Sequence, residues 1–394
     1  MENPKIRFKG FTKDWEQRKF GSLLEETRNK TIFEDEDTLL SCAIDGMYLN
    51  SELFSHFRGS SNIGYLKVKK NDLILSAQNL HLGNCNVNLR FEHGIISPAY
   101  KVYELVGCNP LFMQAWVKKD STKDFFLKSS TEGASVCRKN IVWEELYKQE
   151  LPVPSIEEQT KVGEYFYSLD HLITLHQRKC EQTKNLKKYM LQKMFPQNGA
   201  KVPEIRFNGF THDWEQRKLI DYLEVSSEKN RDNRFTKDDV LSVSGEYGIV
   251  NQIEFQGRSF AGASVSNYGV VENGDVVYTK SPLKSNPYGI IKTNKGIPGI
   301  VSTLYAVYKP KEITDSKFVQ IYFELDSRMN SYMHPLVNKG AKNDMKVSAE
   351  NALKGMVSFP KKDEQEMISL YFSNLDHLIT LHQRQHKLHL NALL

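Results

Sequence analysis

The sequence predicts two mixed α/β (α+β) domains, related by pseudo-two-fold symmetry and joined by a long antiparallel two-helix coiled coil. Three observations support this fold class. The chain contains an internal repeat, each copy of the repeat holds a stretch of short β-like segments, and each copy ends in a long amphipathic helical segment. A length of 394 residues suits two or three domains of ordinary size.

Two segments recur almost unchanged. PKIRFKGFTKDWEQRK at residues 4–19 returns as PEIRFNGFTHDWEQRK at residues 203–218, with three differences in sixteen positions. LDHLITLHQR at residues 169–178 returns without change at residues 375–384. The stretches between these segments have diverged. We therefore favour two copies that share one partner surface and read different ligands over a duplication followed by uniform drift.

The diverged stretches carry the signals of mixed α/β domains. Alternating β-branched and aromatic residues predict strands, which are expected at residues 72–76, 99–105, 275–279 and 303–308. Helical periodicity predicts helices at residues 110–119 and 316–332. Each stretch is long enough to bury a core of its own.

Residues 156–195 show apolar side chains at alternating spacings of three and four, which predicts a helix of roughly 60 Å. The second copy repeats the stripe from residue 361 onward. A long helix with one apolar stripe needs a second stripe to pack against, and the other copy is the simplest partner, in antiparallel orientation. The residues predicted to form the coiled-coil or partner interface are Val162, Phe166, Leu169, Leu172, Ile173, His176, Ile368, Phe372, Leu375, Leu378, Ile379 and His382.

These patterns divide the chain into four segments. The domains are predicted at residues 1–154 and 197–360, and the helices at residues 155–196 and 361–394. With one domain at each end of the helix pair, the helices would fix the distance between the two domains.

The composition narrows the class of protein. Charged residues make up 26% of the chain and the net charge is +5, which permits nucleic-acid binding without requiring it. Five scattered cysteines without a Cys-x-x-Cys pair argue against a disulfide framework, so a reducing cytoplasm is expected. We expect neither a secretory signal nor a membrane span, because no apolar run is long enough.

Common catalytic motifs are absent from the sequence. It contains no phosphate-binding Gly-x4-Gly-Lys-Ser/Thr loop, no His-Glu-x-x-His and no Gly-x-Ser-x-Gly. Asn286-Pro287-Tyr288 is similar to the motif with which amino-methyltransferases hold a flipped base, but it lacks the second proline. A turn is the better interpretation of these three residues.

A metal site is a further hypothesis. His382, His386 and His389 share one helical face, a spacing that suits zinc. The first copy has His176, Cys180 and Thr183 at the same positions, so the third ligand is missing there. We favour packing in the helix interface, where a polar side chain fixes the register, and expect no metal.

Each half of the chain resembles the specificity (S) subunit of type I restriction-modification systems. The residues that carry the resemblance are Pro152-Val153-Pro154, Glu158-Gln159, Leu169-Asp170 and the run from Tyr189 to Phe195, with Phe359-Pro360, Glu364-Gln365 and Leu375-Asp376 in the second copy. The glycine loops at residues 132–134 and 339–341 also fit. The second copy departs from the pattern because it lacks the second proline and has a shorter helix.

The resemblance implies a non-catalytic subunit with two target-recognition domains and two conserved helices. Each domain would read one half of a bipartite site in double-stranded DNA, and the helices would set the spacer and dock two modification (adenine methyltransferase) subunits. Restriction subunits would supply translocation and cleavage, so S-adenosylmethionine, ATP and Mg would bind to partner subunits and no cofactor to this chain. A stand-alone DNA methyltransferase and a coiled-coil scaffold without a DNA role are the alternatives.

DNA contacts are expected from loops of the diverged domains. Acidic residues slightly outnumber basic ones between residues 20 and 150, so positive charge must be segregated on one face. Amide and basic side chains can pair with base edges and phosphates. The candidates are Gln78, Asn79, Ser129, Ser130, Thr131, Gly133, Arg138 and Lys139 in the first domain, and Lys280, Ser281, Lys284, Asn338, Lys339, Gly340, Lys342, Asn343 and Lys346 in the second.

Overall fold

The computed structural model describes residues 4–55, 61–131, 139–197, 199–280, 286–339 and 345–393, and for residues 338, 339, 345, 346 and 393 it describes the backbone alone. The chain separates into two compact units. The first comprises the residues up to Leu175 and from His386 onward, and the second comprises His176–Gln385. Each unit thus contains one diverged stretch together with a part of both long helices.

The first unit mixes short strands and helices. Its strands are β1 (Glu16–Lys19), β2 (Leu24–Thr27), β3 (Leu40–Ala43), β4 (Gly46–Leu49), β5 (Leu66–Lys69), β6 (Leu73–Ser76), β7 (Cys85–Val87), β8 (His93–Ile96), β9 (Tyr100–Leu105) and β10 (Glu150–Val153). Its helices are α1 (Asn50–Leu53), α2 (Pro110–Lys118), α3 (Asp120–Lys128), α4 (Trp143–Lys148) and the first part of α5 (Ile156–Lys193).

The core of the first unit is built around strand β6. The antiparallel sheet has the order β2-β9-β6-β7, with Leu73 opposite Tyr103 on one side and Val87 on the other. Leu73 packs in a cluster with side chains of α2, whereas Ile74 points into a second cluster with β3 and β5. Coverage on both faces matches the consecutive apolar residues Leu73, Ile74 and Leu75 of β6.

The second unit repeats this plan. Its strands are β11 (Glu215–Lys218), β12 (Leu223–Val225), β13 (Leu241–Ser244), β14 (Gly248–Asn251), β15 (Gly269–Val271), β16 (Val276–Thr279), β17 (Ile291–Thr293), β18 (Gly299–Val301), β19 (Tyr305–Pro310), β20 (Asn338–Lys339), β21 (Met345–Lys346) and β22 (Met356–Phe359). Its helices are α6 (Gln252–Gln256), α7 (Ser316–Tyr322), α8 (Asp326–Met333), α9 (Ala349–Ala352) and most of α10 (Lys362–Leu393). The sheet order β12-β19-β16-β17 matches that of the first unit.

The predicted strands are confirmed as β6, β9, β16 and β19, with ends shifted by one or two residues. The helix predicted at residues 110–119 is confirmed as α2, but the single helix predicted at residues 316–332 is wrong. Phe323 leaves the helical conformation and is buried against Tyr332, with ring centroids 4.8 Å apart. Leu325 has extended backbone, and α8 starts afresh at Asp326. The periodicity continues across this break, which is why the pattern concealed it.

Helices α5 and α10 contain 38 and 32 residues, so α5 is about 57 Å long. Two contacts within the second unit give their relative direction. His176 Nδ1 lies 3.2 Å from His382 Nδ1, and Lys187 Nζ lies 2.6 Å from Asp376 Oδ1. Moving forward along α5 therefore means moving backward along α10, so the prediction of antiparallel packing is confirmed. Among the described residues, no helix is long and apolar enough to cross a membrane.

Candidate nucleic-acid interface

The structure brings two of the predicted DNA-binding segments of the first unit together. Strand β6 ends at Ser76, and its hydroxyl accepts the backbone amide of Asn79 at 3.2 Å, which bends the chain out of the sheet. The backbone amide of Lys139 donates to the carbonyl of Gln78 at 3.1 Å. Gln78 is exposed, and Asn79 and Lys139 are half-buried. The backbones of a residue with an amide side chain and a residue with a cationic side chain therefore meet at the end of the central strand.

The start of the glycine loop has a structural role. Ser129 is buried, and its hydroxyl accepts a hydrogen bond from Gln149 Nε2, while its carbonyl accepts the amide of Val142. The prediction that Ser129 contacts DNA is therefore wrong, because the side chain is enclosed and paired. Ser130 donates its hydroxyl to the carbonyl of Phe126, and Thr131 is exposed. Of these three residues, Thr131 is the best placed to meet a ligand.

Several predicted residues fall outside the described parts of the chain. These are Gly133, Arg138, Ser281, Lys284, Gly340, Lys342 and Asn343, together with the side chains of Asn338, Lys339 and Lys346. The backbones of β20 and β21 pair in antiparallel register, with Asn338 opposite Lys346. The predicted glycine loop of the second unit thus begins and ends at a two-stranded ladder.

Lys280 follows β16 as the segment of Gln78 follows β6. Its backbone amide donates to the carbonyl of Leu304 at 3.2 Å, and its side chain is half-buried. Burial lowers the pKa of Lys280, and repulsion from the neighbouring Lys229 lowers it further. The carboxylate of Glu350 opposes this effect, so Lys280 is a partly desolvated ammonium group with charged neighbours of both signs.

A cation that the sequence reasoning missed lies on β9. Lys101 pairs with Leu75 of β6, and its ammonium group lies 4.5 Å from the ring centroid of Trp143 and 3.2 Å from Glu26. A hydrogen bond from Arg28, assisted by one from Lys101, lowers the pKa of Glu26. Lys101 occupies a polar position within an alternating strand, and that alternation was the available signal.

The predicted helix-interface residues follow one stripe with one exception. Leu169, Ile368, Phe372 and Leu375 are buried, and the residues that are half-buried are Val162, Phe166, Leu172, Ile173, His176, Ile379 and His382. Leu378 is 42% exposed. The buried stripe passes from Leu375 to Ile379, and Leu378 lies about 100° around the helix from Ile379. Leu378 therefore lies outside the buried stripe of the helix pair, and its place in a partner interface stays a prediction.

The repeated leading segments clamp each domain to its long helix. Arg7 forms two hydrogen bonds of 2.6 Å with the carboxylate of Glu158 on α5, and Arg206 forms the same pair with Glu364 on α10 at 2.7 and 2.8 Å. Both glutamates are at most 2% exposed. Paired, hydrogen-bonded charges of this kind tolerate little substitution, which explains why these positions are unchanged between the copies.

The neighbouring glutamines fasten a second element. Gln159 Oε1 accepts the amide of Asn109, the residue that caps α2, at 2.7 Å, and its Nε2 donates to the carbonyl of Pro154. Gln365 makes the same contacts to Asp315, the cap of α7, and to Pro360. The recurring Glu-Gln dipeptide was the sequence signal for both clamps.

The two remaining motifs are structural features. Gly289 donates its amide to the carbonyl of Asn286 at 3.0 Å, so Asn286-Pro287-Tyr288 forms a turn as predicted. His382 contacts His176, in keeping with the interface interpretation. Within the described ranges, no group of three or more His, Cys, Asp or Glu side chains could hold a metal ion.

One curated protein is similar to this chain in sequence. The type I restriction enzyme MjaVIII specificity subunit of Methanocaldococcus jannaschii is 24% identical over 236 residues, which is 55% of this chain and 51% of the relative. The matched region thus spans about half the length of that relative. No family model matches the sequence.

One solved structure shows the same fold, and a second is less similar. The type I restriction-modification S subunit from M. genitalium matches with a TM-score of 0.57 and 12% identity, covering 100% of this chain and 97% of that one. The HsdS subunit from Thermoanaerobacter tengcongensis matches with a TM-score of 0.43 and 15% identity over 96% and 95% of the two chains. The resemblance to S subunits that the sequence predicted is confirmed.

Proposed function

We propose that this chain is the sequence-specific DNA-recognition subunit of a type I restriction-modification complex and has no catalytic role of its own. One observation carries the proposal. Two units share a sheet order and identical clamps, whereas the residues that leave the central strand differ, with Gln78-Asn79 after β6 and Lys280 after β16. A constant scaffold with variable strand-end loops is what two readers of different half-sites require.

Each unit would read one half of a bipartite site in double-stranded DNA. Exposed Gln78 and Thr131 are suited to base edges, and Lys139, Lys101 and Lys280 to phosphates. Helices α5 and α10 would set the length of the unread spacer, in the way that dimer geometry sets half-site spacing in other DNA-binding proteins.

Partner subunits would perform the chemistry. Two modification subunits would dock on the long helices and methylate adenine after flipping it out of the duplex, and restriction subunits would translocate and cleave DNA. S-adenosylmethionine, ATP and Mg would bind to those subunits. The exposed side chains of α5 and α10, among them Leu378 and Leu381, would be available to the modification subunits.

Methylome sequencing of the host with and without the gene tests this proposal. We expect a bipartite adenine-methylated motif to disappear on deletion and to return when the gene is restored. If the motif set is unchanged, the chain has no role in DNA recognition and the scaffold alternative is favoured. Saturable binding of S-adenosylmethionine to the isolated chain would favour the stand-alone methyltransferase instead.

A point variant tests the proposed interface. Lys139→Glu should weaken binding of the chain to its DNA site and reduce the salt dependence of the affinity, because each lost phosphate contact lowers the slope by roughly one. Lys148→Glu is the matched control, since Lys148 is exposed on α4 and pairs only locally with Glu145 among the described residues. Equal salt slopes for the two variants would exclude a phosphate contact at Lys139.

A further inference from the structure

The two units carry opposite charges at the same position of the repeat. The cap residues Asn109 and Asp315 align α2 with α7, so Lys118 at the end of α2 corresponds to Glu324, which follows α7. Both residues lie at the junction with the next helix, α3 in the first unit and α8 in the second. Opposite charges at one position of a shared fold point to different electrostatic surroundings.

Each unit also contains an identical aspartate on its long helix. Asp170 on α5 and Asp376 on α10 belong to the segment that recurs without change. Desolvation raises the pKa of Asp170, and attraction to Lys118 opposes the rise. The first unit thus sets a domain cation against the helix aspartate, whereas Glu324 and Asp376 in the second unit have like charges and repel each other.

Lys187 of α5 resolves this repulsion in the second unit. Its Nζ lies 2.6 Å from Glu324 Oε1 and 2.6 Å from Asp376 Oδ1, so one ammonium group joins both carboxylates. Its side chain is only 12% exposed. Burial alone would lower the pKa of Lys187, but attraction to Glu324 and Asp376 raises it. The helices supply one carboxylate of this site, and the domain has to supply the other.

A second cation of this unit also depends on Glu324. Lys292 of β17 is 8% exposed, and burial lowers its pKa while the carboxylate of Glu324 opposes the fall. Its counterpart by sheet position is Asn86 of β7, an uncharged amide that donates to the carbonyl of Ala43 at 2.6 Å. A lysine in place of Glu324 would therefore adjoin two other cations, Lys187 and Lys292.

We propose that the charge at positions 118 and 324 restricts which domain each unit accepts. The first unit takes a domain with a cation there, which faces Asp170. The second unit takes a domain with an anion there, which completes the site of Lys187. A domain moved to the other unit sets like charges against each other, either Lys118 beside Lys187 or Glu324 beside Asp170. This restriction holds whatever the domains bind, so the proposal does not depend on DNA recognition.

Glu324→Lys tests the proposal with the smallest possible exchange, because it gives the second domain the residue of the first. Hydrogen exchange of the full-length chain in increasing urea reports on each unit through its own peptides. We expect the unfolding equilibrium constant of the second unit to rise by at least roughly tenfold, since the nearly enclosed Lys187 loses a partner and gains a like charge. Glu246→Lys, the same charge change at an exposed loop residue of this unit, is the matched control and should have little effect.

A second substitution separates the effect of charge from that of shape. Lys187→Met, added to Glu324→Lys, should recover most of the lost stability, because the new lysine then faces Asp376 as Lys118 faces Asp170. In the parent chain Lys187→Met should instead destabilise the second unit. The proposal is overturned if Glu324→Lys behaves like its control, or if Lys187→Met fails to lessen its effect, since packing alone would then limit position 324.

The first unit provides the converse test. Lys118 also donates to the carbonyls of Ile44 and Cys85 at 2.6 and 3.0 Å, so Lys118→Glu removes these hydrogen bonds as well as reversing the charge. Asp170→Asn isolates the charge. It should reduce the loss caused by Lys118→Glu by roughly threefold in the unfolding equilibrium constant, the range of a partly exposed pair, and should weaken the parent unit slightly. If Asp170→Asn has the same effect in both backgrounds, Lys118 and Asp170 are not coupled and the proposal fails.

Discussion

The Nδ1 atoms of His176 and His382 lie 3.2 Å apart, and the two histidines occupy the same position of the internal repeat. At this distance one ring nitrogen donates and the other accepts, so the pair holds one hydrogen bond. A segment that contacts its own repeat copy does so across a local two-fold axis. The pair therefore marks the point where α5 and α10 are in symmetric register.

Removing one histidine should cost about as much as removing both. His382→Ala is expected to lower the free energy of unfolding by about 1 kcal/mol, because His176 is left half-buried without its hydrogen-bond partner on α10. The double variant with His176→Ala should lose little more. Urea denaturation of the two single variants and the double variant measures this coupling, and His377→Ala, on the exposed face of α10, is the control. Strictly additive losses would contradict a shared hydrogen bond.

Replacing a clamp glutamate should destabilise its unit more than replacing an exposed glutamate on the same helix. Glu364→Gln is expected to destabilise the second unit by on the order of 2 kcal/mol, since it leaves Arg206 with a neutral partner at a buried site. Glu158→Gln should have a smaller effect, because Glu364 also accepts a hydrogen bond from Trp214 Nε1 at 3.3 Å. Thermal unfolding compares the two variants with Glu366→Gln, an exposed neighbour. A neutral result for Glu364→Gln would remove the clamp as a source of stability.

Glu104→Lys should stabilise the first unit. Burial raises the pKa of Asp72 from 3.8 to about 6, and the nearby Glu104 adds to the rise. In the second unit the counterpart Asp275 lies 2.8 Å from Lys309 instead. A lysine at position 104 would supply the missing cation, and the lost pair between Glu104 and Lys69 is exposed and contributes little. We expect a gain of about 1 kcal/mol at pH 7.

The raised pKa of Asp72 determines how the stability gain from Glu104→Lys should change with pH. A carboxyl group with a raised pKa holds its proton more tightly in the folded state, so the contribution of Asp72 to stability is highest below pH 3.8 and falls as the pH rises through about 6. The advantage of Glu104→Lys over the parent chain should therefore be present at pH 7 and shrink towards pH 4. Chemical denaturation at both pH values measures it, with Glu92→Lys as an exposed control. An advantage that grows on acidification would exclude Asp72 as its origin.

Gln78→Ala should alter recognition of one half-site only. The side chain of Gln78 is exposed at the end of β6 in the first unit, and an amide contact to adenine is worth roughly 1–3 kcal/mol of discrimination. Methylome sequencing of a host carrying the variant should reveal a relaxed or lost half-motif beside an unchanged one. Gln17→Ala, on the exposed strand β1, should leave both halves intact. Simultaneous loss of both half-motifs would indicate a folding defect rather than a lost base contact.

The parts of the fold that could be predicted from the sequence are those with a repeated or periodic apolar pattern. Strand β6 and helix α5 were recognisable because apolar periodicity reports burial directly, and the antiparallel helix pair followed from two matching stripes. The break at Phe323 was not predictable, since its side chain remains on the apolar face while the backbone leaves the helix. Exposed Leu378 shows the same limit: an apolar residue beside a stripe looks like a member of it.

The candidate interface was harder to predict than the fold. Gln78 and Lys139 are far apart in sequence, and a hydrogen bond between their backbones joins the two segments in the folded chain. Ser129 was misassigned because a hydroxyl in a loop has the same appearance whether it faces solvent or, as here, Gln149. The clamp between Arg7 and Glu158 spans 151 positions, and the frozen sequence at its two ends was the available hint.

Because each arginine–glutamate clamp closes within its own unit, a domain is held at its two borders by residues outside the diverged stretch. Strands and loops from a different parent could be spliced between Lys19 and Glu150 and still be secured by Arg7, provided that the new sequence offers Gln159 the start of a capped helix in place of Asn109. The contacts that hold a domain to its long helix are thus made mostly by residues outside the stretch that would determine specificity. Exchange of whole cassettes, rather than gradual substitution, is the evolutionary route that this architecture favours.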